Sequence, residues 1–187
     1  LGELHAGGGD DTLLGGTGAE SLFGEAGDDT LIGGAGNDTM NGGDDVDTVD
    51  YSGASAGVEA NLGSGVANND GSGGIDTLSQ IENIIGTASA DILDGSSDAN
   101  ILIGGAGGDL LRGNGGDDRL AGGVGNDTLN GGAGVDTADF SNASAGVEAN
   151  LGTGAVNNDG NGGVDTLSQI ENIIGSTSAD LLDGSSS

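Results

Sequence analysis

An apolar residue returns at every ninth position along much of this chain, at Leu4, Leu13, Leu22, Leu31, Met40 and Val49, and again at Leu93, Leu102, Leu111, Leu120 and Leu129. Between these positions lie glycines, closed by an acid or its amide two residues before the apolar one, as in Gly33-Gly34-Ala35-Gly36-Asn37-Asp38-Thr39-Met40-Asn41. In the three residues centred on the apolar one, alternation sends that side chain inward and its neighbours outward, which suits a very short strand. The six residues before it form a turn. The pattern reads as a solenoid of short strands joined by glycine turns.

Composition requires something beyond a hydrophobic core. The formal charge is −29, from 31 acids against Arg112 and Arg119, and 44 of the 187 residues are glycine. Such a chain repels itself, and with 33% hydrophobic residues burial alone does not offset the ordering entropy of so many glycines. Cations are the expected stabiliser. The acidity excludes nucleic acid and anionic lipid as partners, no membrane insertion is expected, and the absence of cysteine excludes disulfides and thiolate metal sites. Strong self-repulsion predicts a monomer.

The chain also contains a duplication. Ala54 to Leu62 returns as Ala143 to Leu151, and Asp76 to Ile85 returns as Asp165 to Ile174, both displaced by 89 residues. We therefore divide one solenoid of residues 1–187 into a first unit (2–90), a second unit (91–179) and the start of a third (180–187). Each unit holds a nonapeptide array, ending near 50 and 139, and a divergent block, about 51–85 and 140–174. Stepping back by nines from Leu93 reaches Ile84, Ile75 and Val66, a phase in which the block keeps winding the same coil; the alternative is a flexible linker between two short rolls. The chain starts at Leu1 without a methionine and stops within a repeat, as expected of a segment of a larger protein.

The turns suit calcium. Glycine tolerates left-handed backbone angles, and without side chains the carbonyl oxygens can crowd around one point. Calcium takes six to eight oxygens from carboxylates and carbonyls. Glu25 and Asn114 stand where a turn's second glycine is expected, and Asp45 at another normally glycine position, so coordination there is less certain. Asp44, Asp50, Asp94 and Asp139 fall outside the sixth position and are expected at the solvated surface.

This G-G-x-G-x-D-x-U-x repeat closely resembles the repeats-in-toxin (RTX), or hemolysin-type, calcium-binding family. The resemblance implies an all-β, right-handed parallel β-roll in which turns 18 residues apart stack and share Ca2+. The implied pairs are Asp11 with Asp29, Glu20 with Asp38, Asp29 with Asp47, Asp91 with Asp109, Asn100 with Asp118, Asp109 with Asp127, and Asp118 with Asp136, about seven sites. Glu20 and Asn100 depart from the motif and weaken their sites, while Asp91 and Asp136 stand at array edges. The carbonyls of Gly7, Gly9, Gly16, Gly18, Gly27, Gly34, Gly36, Gly43, Gly105, Gly107, Gly116, Gly123, Gly125, Gly132 and Gly134 complete the implied ligand set. The function implied is a calcium-binding module of a protein that is secreted or at the cell surface, such as a type I secretion substrate: an adhesin, toxin or exoenzyme.

No catalytic residue is nominated. His5 is the only histidine and sits near the start of the chain; there is no lysine for a nucleotide-binding loop, and Phe23, Tyr51 and Phe140 are too few aromatics to wall a glycosidase site. Tyr51 and Phe140, 89 residues apart, suit packing. Arg112 and Arg119 point outward and suit surface ion pairs. A competing function is an ice- or glycan-binding face, for which Thr30, Thr39, Thr48, Thr128 and Thr137 align at the seventh repeat position. The module is otherwise expected to be a non-catalytic part of a secreted enzyme.

Overall fold

A computed structural model describes residues 2–184; residues 185–187 of the expected third unit lie outside the described residues. The described chain is all strand and turn. In the first unit the strands are β1 (Glu3–Gly8), β2 (Thr12–Gly16), β3 (Ser21–Ala26), β4 (Thr30–Gly34), β5 (Thr39–Asp44), β6 (Thr48–Asp50), β7 (Glu59–Asn61), β8 (Val66–Asn69), β9 (Asp76–Ser79) and β10 (Asn83–Ile85). They are followed by β11 (Ile92–Asp94), β12 (Ile101–Gly107), β13 (Leu110–Gly115), β14 (Arg119–Gly125), β15 (Thr128–Ala133), β16 (Thr137–Asp139), β17 (Glu148–Asn150), β18 (Ala155–Asn158), β19 (Asp165–Ser168), β20 (Asn172–Ile174) and β21 (Leu181–Asp183).

In the arrays, consecutive strands alternate between two sheets, and each strand pairs in parallel with the strand two places on. Leu4 stands beside Leu22 and Leu22 beside Met40 in one sheet; Leu13 stands beside Leu31 in the other. This is the architecture of a parallel β-roll. One inward apolar side chain per strand forms two facing columns, and Leu22, Leu31, Met40, Val49, Leu93, Leu102, Leu111, Leu120 and Leu129 are fully buried. The core is thus one residue wide on each sheet, which is why so low an apolar content suffices to fill it.

Both sheets run through the divergent blocks. The first has the order β1-β3-β5-β9-β8-β7-β11-β13-β15-β19-β18-β17-β21, the second β2-β4-β6-β10-β12-β14-β16-β20. In each block the chain reverses twice, so β8 lies antiparallel between β7 and β9, and β18 between β17 and β19. The block thereby supplies three strands to the first sheet for one to the second.

This reversal corrects the nine-residue phase within the block. Ile84 is buried, but Val66 is only half-buried and Ile75 is 54% exposed; Ala60, Ala67 and Leu78 take the inward places. An antiparallel excursion is not bound to an 18-residue coil, and stacked turns on its two sides are 38, 35 and 33 residues apart.

Because each core position has a single apolar side chain with no neighbour able to refill it, Leu111→Ala should cost about 2–5 kcal/mol, whereas Leu14→Ala, at a 63% exposed position, should stay within about 0.5 kcal/mol. Urea unfolding in saturating calcium measures both, and equal costs would contradict the single-file core.

Candidate metal centre

The turns form two rows along the edges of the sheets, and one hydrogen bond repeats along each row. Oδ1 of the acid closing a turn accepts the backbone N–H of the equivalent residue one coil earlier: Asp29 from Asp11, Asp47 from Asp29, Asp118 from Asn100 and Asp136 from Asp118 in one row, at 2.8 Å each. In the other row Asp38 accepts from Glu20 at 2.8 Å, Asp109 from Asp91 at 2.8 Å and Asp127 from Asp109 at 2.9 Å. This explains the short side chain at the sixth position, since its reach sets the spacing of coils.

The second oxygen has no such partner. Oδ2 of Asp29, Asp38, Asp47, Asp109, Asp118, Asp127 and Asp136 is buried without a hydrogen bond. Burial, and then the neighbouring carboxylates, push Asp109 up to about 7 and Asp47 and Asp118 up to about 6, while Asp38, Asp127 and Asp136 are also raised. Each oxygen points at the first glycine of its own turn. A methyl group at Gly104 would collide with Asp109 Oδ2 and lie 2.6 Å from Gly122 O; at Gly113 it would collide with Asp118 Oδ2 and lie 2.5 Å from Gly131 O. A carbonyl oxygen and a carboxylate oxygen without a hydrogen-bond donor thus border the same space at the glycine, an arrangement a hard cation satisfies. Among the described residues no three His, Cys, Asp or Glu side chains form a metal cluster by themselves. The oxygen supply comes instead from one carboxylate and from main-chain carbonyls.

The expected ligands do not all behave alike. Asp91 is satisfied by the protein: its Oδ2 accepts the Thr87 N–H at 2.6 Å, and its Oδ1 accepts from Val58 N and the Thr87 hydroxyl. Asn100 is also satisfied, since its amide nitrogen donates to Glu82 O at 2.7 Å and its Oδ1 accepts from Ser96 N. Glu20 curls back to accept the Gly16 N–H at 3.1 Å, and in that turn neither Gly16 nor Gly18 is left-handed. Asp11 is only half-buried.

Of the glycines named for their carbonyls, Gly7, Gly9, Gly27, Gly34, Gly36, Gly43, Gly105, Gly107, Gly116, Gly123, Gly125, Gly132 and Gly134 do take positive φ. Gly43, Gly123 and Gly132 already accept side-chain amides from Gln80, Asn161 and Gln169. Glu25, Asp45 and Asn114 adopt the glycine conformation at φ 79, 79 and 75°, at a cost on the order of 1–2 kcal/mol each.

Asp136 is not an edge, because its N–H donates to Glu171 Oε2 at 2.9 Å just as that of Asp47 donates to Glu82 Oε2 at 2.8 Å. In the other row Asp38 donates to Asp76 and Asp127 to Asp165, at 2.9 Å. These block residues escaped the sequence reading although Asp76-Thr77-Leu78 repeats the acid, threonine and apolar order of Asp38-Thr39-Met40. Asp94 and Asp139 are not free surface acids: they pair with Arg112 at 2.9 Å and Arg119 at 2.7 Å.

The remaining singular residues are structural. His5 binds Glu25 at 2.9 Å and stacks on Phe23, and Tyr51 and Phe140 are buried. The seventh-position threonines divide between the sheets: Thr12, Thr30 and Thr48 run in one, followed by Asn83, Ile101, Arg119 and Thr137, while Thr39 and Thr128 lie in the other. They form no single flat face.

The sequence profile of the RTX calcium-binding nonapeptide repeat matches this chain in four copies, over residues 3–19, 14–49, 70–111 and 103–138, more than half of its length. No curated protein matches it.

Gly113→Ala should raise the calcium concentration needed for folding, because its methyl group occupies the space between Asp118 Oδ2 and Gly131 O, whereas Gly53→Ala, which meets nothing within 4 Å, should not. A calcium titration followed by circular dichroism compares them. The raised carboxylates also fix a pH dependence for the metal-free chain. A folded-state value of about 6 to 7, above the ordinary aspartate value of 3.8, means the fold binds protons more tightly than the unfolded chain does. The contribution is therefore greatest below the unfolded value and lost as pH rises through 6 to 7. In chelator, β structure should increase between about pH 8 and about pH 5; a fall over that range would contradict the unpartnered carboxylates.

Proposed function

Because the chain belongs to the RTX calcium-binding nonapeptide repeat family, we propose that it is a module whose folding is its response to calcium, with no catalytic role of its own. The observation that carries this reading is the row of buried Oδ2 atoms without hydrogen-bond partners, each facing the glycine side of a turn. Folding without a cation buries these charges against carbonyl oxygens; the unfolded chain leaves them in water. Calcium reverses the balance, so its binding free energy is folding free energy. Seven nonapeptide carboxylates in this state support about seven ions. The high negative charge supports a monomer.

Repeats of this family are typical of secreted, extracellular proteins. A site of carboxylates and carbonyls with affinity of roughly 10⁻⁴ to 10⁻³ M leaves the chain unfolded in a low-calcium cytosol and folded outside. We accordingly assign the module to the calcium-folded part of an exported protein, such as an adhesin, toxin or exoenzyme leaving by a type I route.

Far-ultraviolet circular dichroism with and without calcium tests this. Near-neutral protein in chelator should be largely disordered and should gain β structure on addition of calcium. Magnesium should substitute poorly, since it demands an octahedron at about 2.1 Å that stacked carbonyls cannot close around it. A strand-rich spectrum that persists in excess chelator at near-neutral pH and above would sink the reading, and equal folding by magnesium would contradict the carbonyl-rich site.

A further inference from the structure

Three of the buried, unpartnered carboxylate oxygens lie outside the nonapeptides, on Asp70, Asp159 and Asp165. Asp70 and Asp159 are fully buried and open the equivalent loops Asp70-Gly71-Ser72-Gly73-Gly74-Ile75-Asp76 and Asp159-Gly160-Asn161-Gly162-Gly163-Val164-Asp165. Oδ1 is used locally in both. It accepts the N–H groups of Ser72 and Gly74 at 2.7 and 2.8 Å in the first loop, and of Asn161 and Gly163 at 2.7 and 2.8 Å in the second.

Oδ2 faces a carbonyl instead. A methyl group at Gly74 would collide with Gly36 O and lie 2.6 Å from Asp70 Oδ2; at Gly163 it would collide with Gly125 O and lie 2.7 Å from Asp159 Oδ2. Two acceptors converge with no donor, in a space that only glycine leaves open. Asn100 shows what a metal-free solution looks like in this fold: its amide nitrogen reaches a carbonyl of the adjacent coil. An asparagine at 70 or 159 would keep the loop's hydrogen bonds and place a donor on the facing carbonyl. The chain has an acid there twice. The next turns along the row add Asp38 with Asp76, and Asp127 with Asp165, whose backbone hydrogen bonds bind each loop onto its array.

We propose that each divergent block builds one further calcium site, between Asp70 Oδ2 and the Gly36 carbonyl in the first unit and between Asp159 Oδ2 and the Gly125 carbonyl in the second. Asp38 and Asp76, and Asp127 and Asp165, supply the surrounding negative charge. Calcium is the ion of choice because the surrounding groups are all oxygen, from carboxylates and a backbone carbonyl. These two sites clamp the antiparallel excursion to the roll, so the blocks are fastened by the same ion as the arrays. The copies differ in one atom. The Tyr51 hydroxyl donates to Asp76 Oδ2 at 3.2 Å, while Phe140 offers Asp165 nothing, leaving its Oδ2 open to the ion. The second site is therefore the stronger.

The inference rests on the calcium reading above, and Tyr51 makes it separately testable. It is the only tyrosine, there is no tryptophan, and it touches the first proposed site. Terbium(III), an oxygen-seeking stand-in for calcium, should show tyrosine-sensitised emission when added to the whole chain, and excess calcium should quench it. Asp70→Asn should lose that emission while still folding on calcium by circular dichroism, and Asp118→Asn should keep it. Phe140→Tyr should add emission that Asp159→Asn removes, which keeps the test open if Asp70→Asn does not fold. Sensitised emission unchanged in Asp70→Asn, or unaltered by Asp159→Asn in the Phe140→Tyr background, would overturn the block sites and leave the array reading intact. Failure of the wild type to fold on calcium would overturn that reading itself.

Discussion

The structure depends on a carboxylate divided between two tasks. In seven of the stacked turns one oxygen accepts the backbone N–H of the coil before it, and the other is buried with nothing to bind. The first task fixes the height of a coil and needs the short reach of aspartate. The second makes the folded chain a poor home for itself until a cation arrives. Shape and cation demand therefore come from the same side chain.

The exceptions show the rule from the opposite direction. Where the fold supplies its own donor, as Thr87 does for Asp91 and the amide of Asn100 does for Glu82 O, the carboxylate position is satisfied and no oxygen is left over. Both cases sit just after the first divergent block, where the stack resumes. The second unit thus restarts on turns that hold themselves together, and the turns that need an ion follow them. The apolar columns carry little information by comparison, since one leucine per strand fills a core that the turns have already spaced.

The roll and its 18-residue stacking were legible in the sequence because a single residue recurs in phase, and phase decides which face of so short a strand is buried. The divergent block was legible as a duplication and, by phase, at Ile84, which is buried in register with Val49 and Leu102. Nine-residue counting selected Ile75, which is exposed, because an antiparallel strand releases the chain from the coil that enforces the period. The better signal was chemical: Asp76-Thr77-Leu78 and Asp165-Thr166-Leu167 carry the ending of a nonapeptide, and each acid receives the N–H of the preceding turn as a nonapeptide acid does. Glu82 and Glu171 were hidden for a different reason. They follow no glycine turn, although each stands two residues before the inward Ile84 or Ile173, in register with Asp47 or Asp136, and its longer side chain takes the aspartate's place in the row.

Cations are expected to lie between the buried Oδ2 atoms and the carbonyls of the adjoining turn. Anomalous diffraction from a crystal of the calcium form locates them directly. Peaks should lie beside Oδ2 of Asp29, Asp47, Asp109 and Asp118, on the glycine side of each turn, with no ion on the side chains of Asp91 or Asn100. Ions scattered instead over exposed acids such as Asp10 and Asp28, with those turns folded and empty, would contradict the account.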